Sequence, residues 1–537
     1  MATSLALPIS SEGLRREEHR RERGFAVVLV TTLTFFAALV QGYHPYAEDG
    51  GVYLPEIKRL LDPALYPYGS EFVVGHLRYS LFAPAMAGLV RTSHLSLETM
   101  LLLVYLATFW MTLFAAWLLA ARCYASRSAR VGAVALLATW MTLPIAGTSL
   151  MLMDPYVTAR SLSTPCALLA LAGALEFLLP PFGIGGEGLS RRWRGFALCC
   201  GALAGAGVMH PLMAAYAFGS VLLLCALLSS SRLVRVWGGA GLGLTAVATA
   251  AGLNLAAPPE SEAYKRVVLT RDYLFLSQWH WFEVVGLIAP LIILSAIALR
   301  RRREGDAARV GLARMAVAAG LTATVVSMLF ARTGMAMHLV ARMQPLRIFQ
   351  LVYIVMILEL GAGLAEQVLQ RRPARWIAVF SLLAGVMATT ERRTFPSSRH
   401  LELPNRLAWR ESPDLGNPFE QAFTWIARNT PSDAVFALDA QYITKTGEDA
   451  QGFRAIAERS VLPDFSKDGG VVTNRPELAT AWMQGQVAQA ELNAEPDIRR
   501  LAALKPLGVT WVVLEQSAIT EFNCEYANRA VKVCRLP

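Results

Sequence analysis

The sequence predicts a polytopic α-helical membrane protein of about 11 transmembrane helices with a small C-terminal α/β domain. Three observations carry this. Of 537 residues, 54% are hydrophobic and only 17% charged, too apolar for one soluble core of that length. Apolar runs of roughly 17 to 25 residues recur, enough to cross about 30 Å of hydrocarbon. Every second loop between them carries an arginine cluster, the pattern of cytoplasmic loops.

Residues 1–24 form a basic tail, Arg15-Arg16-Glu17-Glu18-His19-Arg20-Arg21-Glu22-Arg23 leading into the first apolar run. No small-residue cleavage pattern follows, so that run is expected to stay as an anchor with its basic flank inside. The net charge of +10 is spread over short inter-helix clusters rather than gathered on one soluble domain, which argues for topology and against a nucleic-acid partner.

The transmembrane domain, residues 25–390, is expected to cross at Phe25–Val40, Leu97–Ala121, Val131–Gly147, Ser163–Leu179, Phe196–Val208, Leu212–Leu228, Trp237–Leu253, Val284–Leu299, Met315–Ala331, Ile348–Ala365 and Trp376–Thr390. With the N-terminus cytoplasmic, the inner loops carry Arg122/Arg127/Arg130, Arg191/Arg192/Arg194, Arg232/Arg235, Arg300 to Arg303 with Arg309/Arg314, and Arg371/Arg372/Arg375. An odd number of crossings puts residues 391–537 on the opposite, periplasmic side of a bacterial inner membrane. The first outer loop, 41–96, is long enough for two short interfacial helices, an amphipathic one over Tyr53–Leu61 and an apolar one over Leu81–Val90. Glu359, costly in lipid, is expected to face protein near the inner side.

In the C-terminal domain, Phe419–Arg428 and Glu477–Ala488 have helical periodicity, while Ala434–Leu438, Val509–Leu514 and Val531–Leu536 read as strands. Cys524 and Cys534 are placed to pair across a hairpin if this domain is exported, or to remain free if it is not. The other five cysteines lie in or beside apolar runs and read as packing residues.

Polar residues able to do chemistry fall on the outer side. Glu48 and Asp49 follow the first span; a carboxylate there can accept a proton from an acceptor hydroxyl or bind a divalent cation, or it is simply a solvated loop acid. Asp154 and Arg160 flank the second outer turn as a site acid and phosphate clamp, or as an ion pair fixing the turn. His210 stands at the tip of a helical hairpin, as a hydrogen-bond donor to an oxyanion or as a helix cap. His338 and Arg342 share a helical face, and Arg347 opens the next span. Arginines on this side oppose the topology rule, which favours a ligand role, with the planar guanidinium suited to phosphate. The tryptophans around Gln278-Trp279-His280-Trp281 fit the interfacial aromatic belt.

The acidic pair after the first span, the short interfacial helices and the exported C-terminal domain resemble the GT-C superfamily of integral-membrane glycosyltransferases. The stretch Phe423-Thr424-Trp425-Ile426-Ala427-Arg428-Asn429-Thr430-Pro431-Ser432-Asp433-Ala434-Val435-Phe436 is similar to the opening of the soluble domain in oligosaccharyltransferase catalytic subunits. Where those subunits carry Trp-Trp-Asp, this chain has Asp439-Ala440-Gln441-Tyr442, so transfer to a protein sequon is not expected. The resemblance implies a polyprenyl-phosphate-linked sugar donor. It assigns the role of catalytic base or metal ligand to Asp49 or Glu48, with Asp49 preferred because the following glycines let the backbone bend. It gives the donor phosphate to Arg342 and Arg347, with Arg160 and His338 beside them; Asp154 and His210 complete the candidate substrate-binding set. The cofactor stays open, with a divalent cation as one option, and so do the sugar and acceptor. Two other readings are a non-catalytic membrane scaffold whose C-terminal domain binds a partner, and a lipid or solute transporter, which calls for interrupted helices in matching halves.

Overall fold

The computed structural model describes residues 11–74, 80–179, 187–301, 306–404, 416–445 and 449–537. Part of the basic tail (1–10), Arg302 and Arg303 therefore lie outside the described residues, as do the side chains of Arg15 and Arg16.

Helix α1 (Ser11–Gln41) is followed by two short helices, α2 (Gly50–Leu61) and α3 (Phe82–Ser93), where the two interfacial segments were expected. They pack on each other through an edge-to-face contact of Tyr53 and Phe82 at 5.3 Å. Next come α4 (Leu97–Cys123) and α5 (Arg127–Thr139), each started by a serine, Ser96 and Ser126, whose hydroxyl accepts a free backbone N–H of the first turn. The third expected crossing, Val131–Gly147, ends early, because a two-stranded hairpin of β1 (Pro144–Ile145) and β2 (Leu150–Met151) follows α5. Pro144 lacks the N–H a helix needs, and Gly147 takes φ +61° in the turn.

Helices α6 (Ala159–Leu178), α7 (Glu187–Met209), α8 (Pro211–Leu227), α9 (Gly239–Ala256), α10 (Glu262–Leu269), α11 (Trp281–Arg301), α12 (Ala307–Phe330), α13 (Leu339–Arg342), α14 (Phe349–Leu364) and α15 (Pro373–Thr394) follow. Each of the eleven expected segments overlaps a helix, the third only as far as Thr139. Among the described residues, eight helical stretches are long and apolar enough to cross a membrane; the other three segments are α5, α7 and α8. The fifth segment is longer than the expected Phe196–Val208, since α7 continues through Arg191, Arg192 and Arg194.

Burial ranks the helices. The apolar window around α14 is 83% buried, while those of α9 and α15 are 6% buried, so α14 is the bundle centre and the other two leave their apolar faces outermost. Helix α14 meets α5 at Gly132 and Gly361, where a Cβ on Gly132 would lie 2.5 Å from the Gly361 carbonyl oxygen. Only glycine allows that approach.

The C-terminal domain holds α16 (Pro418–Asn429), β3 (Val435–Leu438), α17 (Phe453–Ala457), β4 (Ser460–Val461), α18 (Lys467–Asn474), α19 (Ala479–Ala488), α20 (Asp497–Leu504), β5 (Trp511–Glu515), β6 (Asn523–Ala527) and β7 (Val531–Arg535). Its sheet runs β4-β3-β5-β7-β6, with β3 parallel to β4 and β5, and β7 antiparallel to β5 and β6. Alternation explains the half-buried edge: Val531 and Val533 point into the core, and β6 alternates exposed and part-covered residues. Cys524 and Cys534 face each other across β6 and β7 and form a disulfide.

Backbone hydrogen bonds join this domain to the first loop. Tyr43 bridges Leu401 and Ala47 bridges Gln451; Glu48 N donates to Ala450 O at 3.0 Å and Gly452 N to Tyr46 O at 2.9 Å. Gly51 and Gly452 touch so closely that a Cβ on Gly452 would lie 2.6 Å from the Gly51 Cα.

Candidate functional site

The site starts at the turn that leaves α1. The His44 ring is fully buried, with Nε2 2.8 Å from Glu391 Oε1 and Nδ1 2.9 Å from Glu402 Oε1. Ionised carboxylates only accept, so both nitrogens donate and the ring is an imidazolium. Burial pulls the His44 pKa down, but the bonds to Glu391 and Glu402 outweigh it and push it up to about 9. The other Glu391 oxygen takes His400 Nδ1 at 2.8 Å. This clasp ties α15 and the start of the C-terminal domain to the turn. Within the turn Glu48 takes φ +50°, a left-handed conformation costing an L-residue on the order of 1 kcal/mol, and Asp49 stands at the N-terminus of α2.

Three cations converge on this acidic pair from distant parts of the chain. Arg160 comes from the first turn of α6, held by a capping box of Thr158 and Ser161. Its Nη1 and Nη2 each lie 3.2 Å from Asp49 Oδ2, and Nη2 lies 2.9 Å from Asp154 Oδ2. Lys467 opens α18, where its backbone N–H donates to Asp464 Oδ1 at 2.6 Å; its ammonium binds Glu48 Oε2 and lies 3.3 Å from Asp49 Oδ1. Arg347 sits in the turn before α14 and adds its field to Asp49. That turn is tied to α8 by the Tyr216 hydroxyl, which donates to Gln344 O at 3.2 Å.

Burial alone would raise the Asp49 pKa, but Lys467, Arg160 and Arg347 outweigh it and hold the carboxyl well below the usual carboxylate range. Lys467 is shifted the other way: burial lowers its pKa, and the Glu48 and Asp49 charges more than restore it, so it stays charged. Asp154, almost wholly buried, is raised by desolvation despite its bond to Arg160. The Asp49–Arg160 contacts are at the long end for charge-assisted bonds, and the Asp154–Arg160 contact is within their normal range. Arg160 Nε and Arg347 Nε are buried and have no hydrogen-bond partner.

The structure thus brings together Glu48, Asp49, Asp154, Arg160 and Arg347. His338 and Arg342 form a neighbouring group: His338 Nδ1 lies 2.7 Å from Glu260 Oε2, and the Arg342 guanidinium stacks 5.5 Å over the Tyr264 ring. Burial would raise the Glu260 pKa, but its bonds to His338 lower it. His210 stands at the N-terminus of α8, where Nδ1 accepts Met213 N at 3.4 Å.

Two parts of the site lack a signal in the local sequence. Lys467 is 419 positions from Glu48; the only hint is Asp464, three residues earlier, whose carboxylate accepts the first backbone N–H of α18. The partners of His44 lie 347 and 358 positions away.

Glu48 and Asp49, for which the resemblance left catalytic base or metal ligand open, both turn onto the Lys467 ammonium. Among the described residues no three His, Cys, Asp or Glu side chains are placed to hold a metal ion. As folded, this donor set does not fit a divalent cation.

Fold and site define a multi-pass membrane protein with a partly buried cluster of acids and cations where its C-terminal domain meets the helical layer. No family model matches the chain, and no curated protein matches it. Among solved structures it is similar to an oligosaccharyltransferase from Archaeoglobus fulgidus in complex with Zn and sulfate, at 14% identity and TM-score 0.42 over 91% of this chain and 68% of that one. It is also similar to the archaeal oligosaccharyltransferase AglB from the same organism, in complex with an inhibitory peptide and a dolichol-phosphate, at 12% identity and TM-score 0.47 over 92% and 70%. The likeness is one of fold alone.

Proposed function

We propose that the protein is a membrane glycosyltransferase that moves a sugar from a polyprenyl-phosphate-linked donor to an acceptor at the periplasmic face of a bacterial inner membrane. The chain would cross eleven times with its N-terminus in the cytoplasm, as the arginine-marked loops require. The observation that carries this reading is a pair of arginines, the buried Arg160 and the half-buried Arg347, each with a buried, unpartnered Nε, beside the ionised Asp49. Unpartnered buried donors are costly, and a phosphate oxygen satisfies them.

In this reading Asp49 accepts the proton of an acceptor hydroxyl as that oxygen bonds to the anomeric carbon. The bond from that carbon to the phosphate oxygen breaks, and its electron pair stays on the phosphate, which leaves as the polyprenyl phosphate. Arg160 and Arg347 stabilise the growing charge. An Asp49 held by Arg160 and Lys467 is a weak base. A phosphate that draws Arg160 toward itself loosens the longer Asp49 contacts first and restores basicity, so donor binding precedes proton transfer.

The test is transfer from a polyprenyl-phosphate sugar in membranes carrying Asp49→Asn with Glu48→Gln, alongside mass spectrometry of lipid co-purified with the wild type. Loss of transfer by at least about 100-fold is expected, with polyprenyl phosphate retained. Undiminished transfer would sink the reading in favour of a scaffold.

A further inference from the structure

The acidic pair has a cation of its own. Lys467 binds Glu48 Oε2 and lies 3.3 Å from Asp49 Oδ1, so its ammonium occupies the space between two carboxylates that would otherwise repel each other. Its position is fixed from behind. Asp464 Oδ1 accepts Lys467 N at 2.6 Å, and the next residue, Asp468, is gripped by Arg454 Nη1 at 2.7 and 2.8 Å. Charge points the same way. Glu48, Asp49 and Asp154 are matched by Lys467, Arg160 and Arg347, and a divalent ion added to that balance would leave two positive charges uncompensated in a partly dry setting.

We infer that Lys467, delivered by the C-terminal domain, takes the place of a divalent metal between Glu48 and Asp49, so that the site operates without one. The lysine acts through the acids. It sets their separation and orientation, keeps Asp49 ionised while the site is empty, and adds a positive charge near the position of the leaving phosphate. A fixed ammonium differs from a metal in two respects: chelators cannot remove it, and it offers no open coordination position for an acceptor oxygen.

The inference concerns the cluster used in the proposed transfer, but its test reads metal binding, so either can fail alone. Full-length protein in neutral detergent is titrated with Mn²⁺, and bound ion is measured by loss of the free-ion electron paramagnetic resonance signal. The wild type is expected to show no site that depends on Glu48. Lys467→Met is expected to gain one Mn²⁺ per chain, bound at least about tenfold tighter than any wild-type binding, and to lose it when Glu48→Gln is added. Lys467→Arg, which keeps the charge, is expected to gain none. A wild-type Mn²⁺ site that Glu48→Gln removes would overturn the inference, as would a folded Lys467→Met that gains no site. If Lys467→Met does not fold, the wild-type titration against Glu48→Gln decides, together with a chelator arm. EDTA should leave polyprenyl-phosphate binding within twofold, and a loss beyond about tenfold counts against the lysine.

Discussion

Arginines at two places in the helical layer keep different company. Arg309 in α12 is saturated: Nε and Nη2 lie 3.1 and 2.8 Å from Glu359 Oε2, Nη1 lies 3.7 Å from Glu366, and the guanidinium stacks 4.6 Å over Tyr124. Tyr124 in turn donates to Glu359 at 3.1 Å. The Arg160 and Arg347 groups beside Asp49 each retain an unpartnered Nε. Both arrangements bury charge, but only the second leaves donors for something not covalently part of the chain. The contrast separates a bolt from a binding site: a closed network locks two helices, and an open one waits for an anion.

Substitutions can break that contrast, and the largest effect is expected at the bolt. Arg309→Gln strands the buried Glu359 and should destabilise the fold by about 3–5 kcal/mol, read as a lower melting temperature in detergent, while polyprenyl-phosphate affinity in the folded fraction stays unchanged. Arg347→Gln should do the reverse. It should weaken polyprenyl-phosphate binding by about 3 kcal/mol, the upper range for a hydrogen bond to a charged group, and leave the melting temperature near that of the wild type. If both variants lose stability and affinity together, the two networks are not separable.

The smallest effect belongs to the His44 clasp, which is closed like the Arg309 network but titrates within reach of experiment. Its pKa is raised from 6.5 to about 9 in the folded state. The stability it adds is therefore fully present below pH 6.5 and lost as pH rises through 9. Melting temperature should fall between about pH 7.5 and 9.5, a loss of roughly 2 kcal/mol, and His44→Gln should flatten that part of the profile. A wild-type profile flat across the interval would show that the ring is not held as an imidazolium.

The helical layer is legible in the sequence because hydrocarbon thickness sets a minimum length for a crossing, and eight of the eleven expected segments lie in helices long and apolar enough to span. Val131–Gly147 ran too far because hydropathy does not register Pro144 or the turn at Gly147; chain geometry does. The acidic pair could be placed just beyond the first span from its position alone. Its partners could not. Arg160 and Arg347 drew notice as cations against the topology rule, but nothing near Ser466-Lys467-Asp468 says that this lysine crosses to a loop more than 400 positions away. Glu391, at about the expected start of the C-terminal segment, lies in the last turn of α15, which runs to Thr394, and there bonds to His44 and His400. Periodicity reports on one element at a time, and ion pairs between distant elements leave no periodic trace.

The close contact of Gly51 with Gly452, and the lysine that follows it in the chain, set an order of assembly. Every hydrophobic helix through α15 precedes Lys467, so all of them can be inserted while the ribosome still holds the C-terminal domain. Until that domain has been made and folded, Glu48 and Asp49 face each other without their lysine. A chain cut before Lys467 would keep every helix through α15 yet lack the completed site, so folding of the C-terminal domain is the step that arms the acidic pair.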